Sequence, residues 1–224
     1  MVHEFGTIPH TYIADGHHRA ASAFNVGKMR KEKAAAAGIK LTGEEDFHFF
    51  LTILFPDNNL KVLDYNRALK TLCGNTPEDV LAKLGKSYEV SEIKDDPKPK
   101  EKGTHSMFLN KKWYQLKAKP GSFDAKDPIK SLDVEILAQN ALKDIFGITD
   151  LRADKRIDFV GGIRGLKELE KRCNEDCVCA FAMYPVSIAE IMSVADNNMI
   201  MPPKSTWFEP KPRSGFVVHV IDNY

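Results

Sequence analysis

Thr11-Tyr12-Ile13-Ala14-Asp15-Gly16-His17-His18-Arg19 changes character three times within a few residues. Thr11 to Ala14 reads as the end of a strand, because Tyr12 and Ile13 are bulky and favour extended backbone. Asp15-Gly16 is a turn pair. His17 to Met29 reads as a helix, since Ala20, Ala21, Ala23 and Phe24 cost little entropy there and supply an apolar face. Asp15 stands where a helix N-cap belongs. The expected order is strand, tight turn, helix. Free backbone N–H groups leave the first turn of such a helix and its dipole favours negative charge there. Gly16 would let a phosphate approach the backbone. Arg19 can fork onto phosphate oxygens and His18 can donate another hydrogen bond. Asp15 is a candidate catalytic group, as base toward a hydroxyl or as a metal holder. The plainer reading makes Asp15 a cap, Gly16 a relief for the turn, and Arg19 the partner of a nearby carboxylate.

Lys31 to Gly38 reads as solvated helix ending at Gly38. Phe47 to Phe55 is the strongest strand signal, apolar on both faces, and predicts a central strand. Pro56 to Asn59 turns the chain, and Leu60 to Leu63 would pair back as a hairpin. Thr76-Pro77-Glu78-Asp79 opens a short helix through Leu84, with Thr76 as cap. Lys94 to Gly103 is a surface loop. Two strands follow, His105–Leu109 and Trp113–Ala118, joined near Asn110-Lys111. A helix is expected over Asp133–Ile145, a strand over Ile157–Val160, and a helix over Arg164–Arg172. Val178–Met183 reads as a strand and Ser187–Val194 as a helix capped by Ser187. Met201 to Ser214 is a proline-rich extended tail, and Phe216–Ile221 a closing strand. The fold class is α+β with mixed sheets and packed helices.

The chain has 224 residues, 43% hydrophobic and 28% charged, the composition of a soluble globular protein. A net charge of +1 supplies no global field to recruit nucleic acid or an acidic membrane, so any anion site is local. No run approaches the length of a membrane span, and the N-terminus lacks the basic and apolar regions of a signal peptide. Cys73 stands alone while Cys173, Cys177 and Cys179 crowd together. That is a poor disulfide framework and points to a reducing, cytoplasmic setting.

Five further groups carry candidate chemistry. Cys173, Cys177 and Cys179 could hold zinc with a histidine, although buried thiols explain them better. Gly161-Gly162-Ile163-Arg164-Gly165 could hold a second anion with Lys155, Arg156 and Arg164, or simply turn the chain. Pro202 to Phe208 with Lys211 and Arg213 could line a phosphate site, Lys204 neutralising charge and Ser205 or Thr206 donating hydrogen bonds. It could equally be a stiffened strap that packs Trp207 and Phe208. His48, His105 and His219 read as satisfied or surface histidines. Asp64 and Arg67 would pair along a loop or helix start.

The string from Tyr12 to Arg19 resembles a bacterial and archaeal family of unknown function whose members are often labelled ParB-like or SpoOJ/ParA/ParB/RepB. The resemblance continues in Leu63-Asp64-Tyr65-Asn66-Arg67, in Asp154 to Gly162, and in Met201 to Lys211, which spans nearly the whole chain. The turn is also similar to the nucleotide-binding turn of the ParB/sulfiredoxin superfamily. By that resemblance His18 and Arg19 are phosphate ligands. His17 stands where sulfiredoxins carry their reactive cysteine, which excludes sulfiredoxin chemistry. Free serine kinases use a closely similar Asp-Gly-His-His-Arg turn, and Asp15 would take their catalytic aspartate's role. In the family this turn lies deep inside a longer chain, so the sequence looks like the C-terminal part of a member.

Two functions are carried forward. The first is a nucleotide-dependent phosphotransferase acting on a small hydroxyl compound. Asp15 and His17 would be catalytic, Gly16, His18, Arg19, Lys204 and Ser205 would hold phosphate, and ADP or ATP, with magnesium, would be the cofactor. The second is a non-catalytic ParB-like module that binds nucleotide or nucleic acid. The resemblance places a ParB/sulfiredoxin-like part in residues 1–92 and a C-terminal α+β part in residues 93–224.

Overall fold

The structure is a computed structural model that describes residues 2–213 and 215–221. Ser214, where the proline-rich tail was expected to end, lies outside the described residues. The chain divides into two compact units, Met1–Leu60 with Pro210–Tyr224, and Lys61–Glu209.

The first unit holds α1 (Val2–Phe5) and the long α2 (His17–Ala36). Helix α2 takes in both helical stretches read from the sequence. It closes where Gly38, in the left-handed region at φ 68°, lets the Ile39 N–H reach back to Ala34 O. Only Gly27 and Ala34 of α2 are buried, and Phe24 is 74% exposed. A 3-10 turn, Asp46–His48, packs Phe47 against the helix. Here the strand expected over Phe47–Phe55 does not form. Phe49 to Phe55 is irregular and half exposed. A strand apolar on both faces is stable only with neighbours beside and across it, and the described residues of this unit provide no strand to pair with. For the same reason Thr11–Ala14 and Phe216–Ile221 are not strands.

The second unit holds β1 (Lys61–Leu63), β2 (Tyr65–Leu69), α3 (Pro77–Leu84), β3 (Tyr88–Ile93), β4 (Thr104–Leu109) and β5 (Lys112–Ala118). These are followed by α4 (Asp133–Leu137), β6 (Ile157–Gly161), α5 (Leu166–Glu175), β7 (Cys179–Ala182), α6 (Ile188–Asp196) and β8 (Trp207–Glu209). Six strands form one sheet in the order β3-β5-β4-β7-β2-β6, and β1 pairs with β8. Every pairing is antiparallel. The fold is therefore α+β as expected, but its sheets are not mixed. Lys61–Leu63 pairs with β8 rather than folding back as a hairpin. The division expected after residue 92 falls within this unit, since β2 and β3 belong to the same sheet as β4 to β7.

Local chemistry explains much of this. Asn110 and Lys111 both have positive φ, 48° and 62°, the geometry that joins β4 to β5 without splaying them. Thr76 and Asp79 close a capping box on α3 with Pro77 in the first turn, and Ser187 and Glu190 do the same for α6. Helix α4 widens into a π-helix over Ala138–Lys143. One sheet face carries Leu69, Met107, Leu116 and Phe181 against Val80 and Leu84 of α3, Ile136 and Leu137 of α4, and Val194 of α6. The other carries Ala68, Phe108, Val160 and Ala180 against Leu169 of α5. No helix among the described residues is long and apolar enough to cross a membrane.

Candidate functional site

Gly16, not Asp15, is the N-cap of α2. Its φ of 85° lies in the left-handed region, where a side chain would be strained. Asp15 sits one residue earlier and accepts a hydrogen bond from the Gly16 N–H at 2.8 Å. No side chain caps the helix. The ladder begins with the Ala20 N–H on Gly16 O, so the N–H groups of His17, His18 and Arg19 precede it. Arg19 folds back over the turn: a Cβ on Gly16 would lie 3.0 Å from Arg19 Nη2. His17, His18 and Arg19 are all exposed. Among the described residues no carboxylate lies within ion-pair distance of Arg19, so the plainer reading of Arg19 as half of a salt bridge fails.

Lys211 Nζ donates to Asp15 Oδ2 at 3.0 Å, a contact 196 residues apart in sequence. Partial burial alone would raise the Asp15 carboxyl. The Lys211 hydrogen bond, the Gly16 N–H and the charges of Lys211 and Arg19 outweigh it and hold the group below its ordinary value. Asp15 is thus ionised at neutral pH, in a turn otherwise lined by a helix N-terminus, two histidines and two cations.

Lys204 and Ser205 belong to the second unit. The Ser205 hydroxyl is buried and donates to Pro202 O at 2.6 Å, so it closes the strap's own turn. Lys204 is exposed, with φ 56°, a strained conformation for a lysine, and its Nζ stands 5.6 Å from the Tyr65 ring centre. Around it three strings singled out in the sequence converge. Tyr65 pairs with Gly161, Arg67 with Phe159, and Leu63 with Trp207. The glycine pair is present because neighbours approach it closely. A Cβ on Gly161 would lie 2.6 Å from Trp207 Cε3, and one on Gly162 would lie 2.3 Å from Asp64 Oδ1. Tyr65 meets Trp207 and Phe159 edge-on at 5.6 and 6.2 Å.

Arg67 was missed by sequence reasoning as a site residue. It lies midway along β2, between β7 and the edge strand β6, fully buried, with its guanidinium 5.3 Å from the Phe159 ring centre. It does not pair with Asp64, whose carboxylate instead accepts from Asn66 Nδ2 at 2.6 Å. Strand alternation sends the two to opposite faces. Nη1 of Arg67 donates to Tyr65 O, while Nε and Nη2 have no partner. Burial pushes the guanidinium down to about 10, still charged at neutral pH. Leaving a buried charged donor unpaired costs a folded protein about 3–5 kcal/mol.

The remaining candidates are spent structurally. Arg156 binds Asp154, Phe146 O and Gly147 O, and Arg164 faces Glu168 at 3.5 Å, which leaves the Gly161–Gly165 turn no free arginine. Cys177 and Cys179 are buried, and burial pushes the Cys173 thiol up to about 12, far from the thiolate that zinc requires. His48 meets Glu45 at 3.3 Å, His105 meets Asp133 O at 3.0 Å, and His219 meets Asp46 O at 2.9 Å. No group of three or more His, Cys, Asp or Glu suited to a metal occurs among the described residues.

A family model described as a protein of unknown function (DUF1015) matches residues 1–135. Among solved structures, a point mutant of a free serine kinase in complex with ADP is similar at 17% identity and a TM-score of 0.42. The match covers 88% of this chain and 66% of that one, so the chain spans about two thirds of the kinase's length. A free serine kinase in complex with AMP is similar at 16% identity and a TM-score of 0.43, over 88% and 66% of the two chains. A conserved hypothetical protein from Pyrococcus furiosus is similar at 21% identity and a TM-score of 0.42, over 90% and 72%. No curated protein matches the sequence. These findings overturn the ParB/sulfiredoxin-like assignment, and with it the SpoOJ/ParA/ParB/RepB label. The physical reason is that the strand which should feed the turn is absent, so the strand-turn-helix unit carrying that resemblance does not form. The family match extends over 135 of the 224 residues, and the chain belongs to the DUF1015 family of proteins of unknown function.

Proposed function

We propose that the turn from Asp15 to Arg19 binds the phosphates of ADP or ATP and that the chain is a phosphotransferase-like protein acting on a small hydroxyl compound. The observation that carries this reading is the uncapped N-terminus of α2, with Gly16 in the left-handed region and Arg19 curled over it. The helix dipole contributes only about 0.3–1 kcal/mol at an exposed site, so Arg19, His18 and the three leading N–H groups supply most of the affinity. Lys211 adds a second cation. Asp15 is held ionised and accepts the hydroxyl proton late in transfer, as suits a loose transition state in which positioning dominates. His17, next to Gly16 in the same turn, is the second candidate catalytic group.

Thermal unfolding with ADP, ATP or pyrophosphate plus magnesium tests this. A saturable rise of several degrees that disappears in the His18→Ala, Arg19→Ala double variant is expected. The Asp15→Asn variant separates catalysis from binding. It should keep the thermal shift while losing phosphate transfer to a panel of hydroxyl compounds. A shift without transfer in the unaltered chain would favour a non-catalytic nucleotide-binding module, and no shift would remove the reading.

A further inference from the structure

The guanidinium of Arg67 has two hydrogen-bonding ends. One, Nη1, is engaged by Tyr65 O of its own strand. The other is the side-on edge formed by Nε and Nη2, the pair of parallel N–H groups that matches two oxygens of one anion. That edge is the part left without a partner, although the side chain is fully buried. Phe159 covers one face of the guanidinium and offers no acceptor for the edge. The neighbouring polar groups make no hydrogen bond to it either. His105 is close enough for its imidazole to feel the Arg67 charge, and its own Nδ1 is likewise unpartnered. Asp64 is occupied by Asn66, and Asn66 Oδ1 by the Met183 N–H.

A second cation lies at the Tyr65 end of β2, two residues before Arg67. Lys204 stands over Tyr65, which meets Phe159, the ring that carries Arg67. No carboxylate among the described residues lies within ion-pair distance of either cation. Lys204 is held there on a positive φ by a strap whose turn is closed through Ser205, and Trp207 is seated in the space that Gly161 leaves open. Two unneutralised cations, three aromatic rings and the glycine that admits Trp207 are thus assembled from three separate parts of the sequence.

We propose that Arg67 is the receptor for a small oxyanion, a carboxylate or a phosphate, that enters beside Tyr65 and is neutralised jointly by Lys204. The site lies wholly in the second unit and does not rest on the reading of the α2 turn. The anion would take the Nε–Nη2 edge side-on.

The test uses the full chain titrated with inorganic phosphate and, separately, with glycerate, against sodium chloride at matched ionic strength. A saturable rise in unfolding temperature with at least one of the two is expected, and which one responds identifies the source of the oxyanion. The rise should persist in the His18→Ala, Arg19→Ala variant and vanish in Arg67→Met and in Arg67→Lys, which keeps the charge but loses the fork. Should both Arg67 variants fail to fold, two other readouts decide. Lys204→Ala, at an exposed position, should weaken binding by about tenfold, a loss of about 1.4 kcal/mol. The Arg67 Nε–H resonance of the unaltered chain should also move during titration. A rise that survives Arg67→Met would overturn the proposal, and so would a chain in which neither anion moves the Arg67 resonance.

Discussion

At Asp133 the carboxyl is 4% exposed, accepts a hydrogen bond from the Gly103 N–H at 2.7 Å, and stands 3.4 Å from His105 Nε2. Burial raises it to about 7, helped by the nearby charge of Glu190 and opposed by the Gly103 N–H and by Lys102. Burial also lowers His105 to about 4, reinforced by Arg67. Despite the short distance, the pair is therefore neutral over much of the acid range. Between pH 3.8 and about 7 the unfolded chain has released the Asp133 proton and the folded chain keeps it, so stability falls as pH rises, by up to about 1.4 kcal/mol per pH unit. Between about 4 and 6.5 the unfolded chain binds a His105 proton that the folded chain lacks, so stability there rises with pH. The two slopes oppose each other. Asp133→Asn should unmask the His105 slope, and urea unfolding from pH 4.5 to 6.5 should show stability climbing in the variant and nearly level in the unaltered chain. Parallel profiles would refute this account. Asp15 is the reverse case. Its lowered carboxyl contributes stability above the unfolded value that is lost as pH falls through the folded one. Lys211→Ala should move the Asp15 titration upward, as followed by carboxyl NMR. At this scale the sequence displayed the identity of the turn residues but neither the Lys211 partner nor the isolation of Arg67. Both are set by contacts between residues far apart in the chain.

Elements with their own local signals were legible. Thr76-Pro77-Glu78-Asp79 carries its cap, its first-turn proline and its reciprocal acid in consecutive residues, and α3 starts where they place it. Thr76→Ala removes the acceptor for the Asp79 N–H and should cost about 1 kcal/mol in chemical denaturation, within a range of about 0.5–2. Phe47 to Phe55 failed because hydrophobicity alone reports a demand for burial without saying what meets it. β2 failed in the opposite sense, because Asn66 and Arg67 look wrong for a strand in the middle of a sheet. Asn66 is accommodated by bonding Asp64 and the Met183 N–H. β3 is visible in hindsight as the alternation Tyr88, Val90 against Glu89, Ser91. At the end of β6, Gly161→Ala would press a methyl into the Trp207 ring and should destabilise by about 1–3 kcal/mol. A change well below 1 kcal/mol would mean that Trp207 is not seated as described.

The order of strand and helix signals placed the whole molecule in the α+β class without indicating that its two units differ so much in how they are held. The second unit closes apolar layers on both faces of its sheet. The first buries little beyond Gly27, Ala34, Glu45 and Phe47, while Phe24, Phe49, Phe50, Leu51 and Ile53 are each more than half exposed. Backbone amides protected only by local helical bonds open at low free energy, whereas central strands exchange only near global unfolding. Amide hydrogen exchange should therefore show α2 exchanging well before β2, β4 and β7 in the chain without ligands. The same measurement separates the two proposed sites, because a ligand slows exchange in the unit that binds it. ADP with magnesium should protect the first turns of α2, whereas the oxyanion held by Arg67 should protect β2 and β6. If α2 exchanged as slowly as the central strands before any ligand was added, the first unit would have a core that its described packing does not contain.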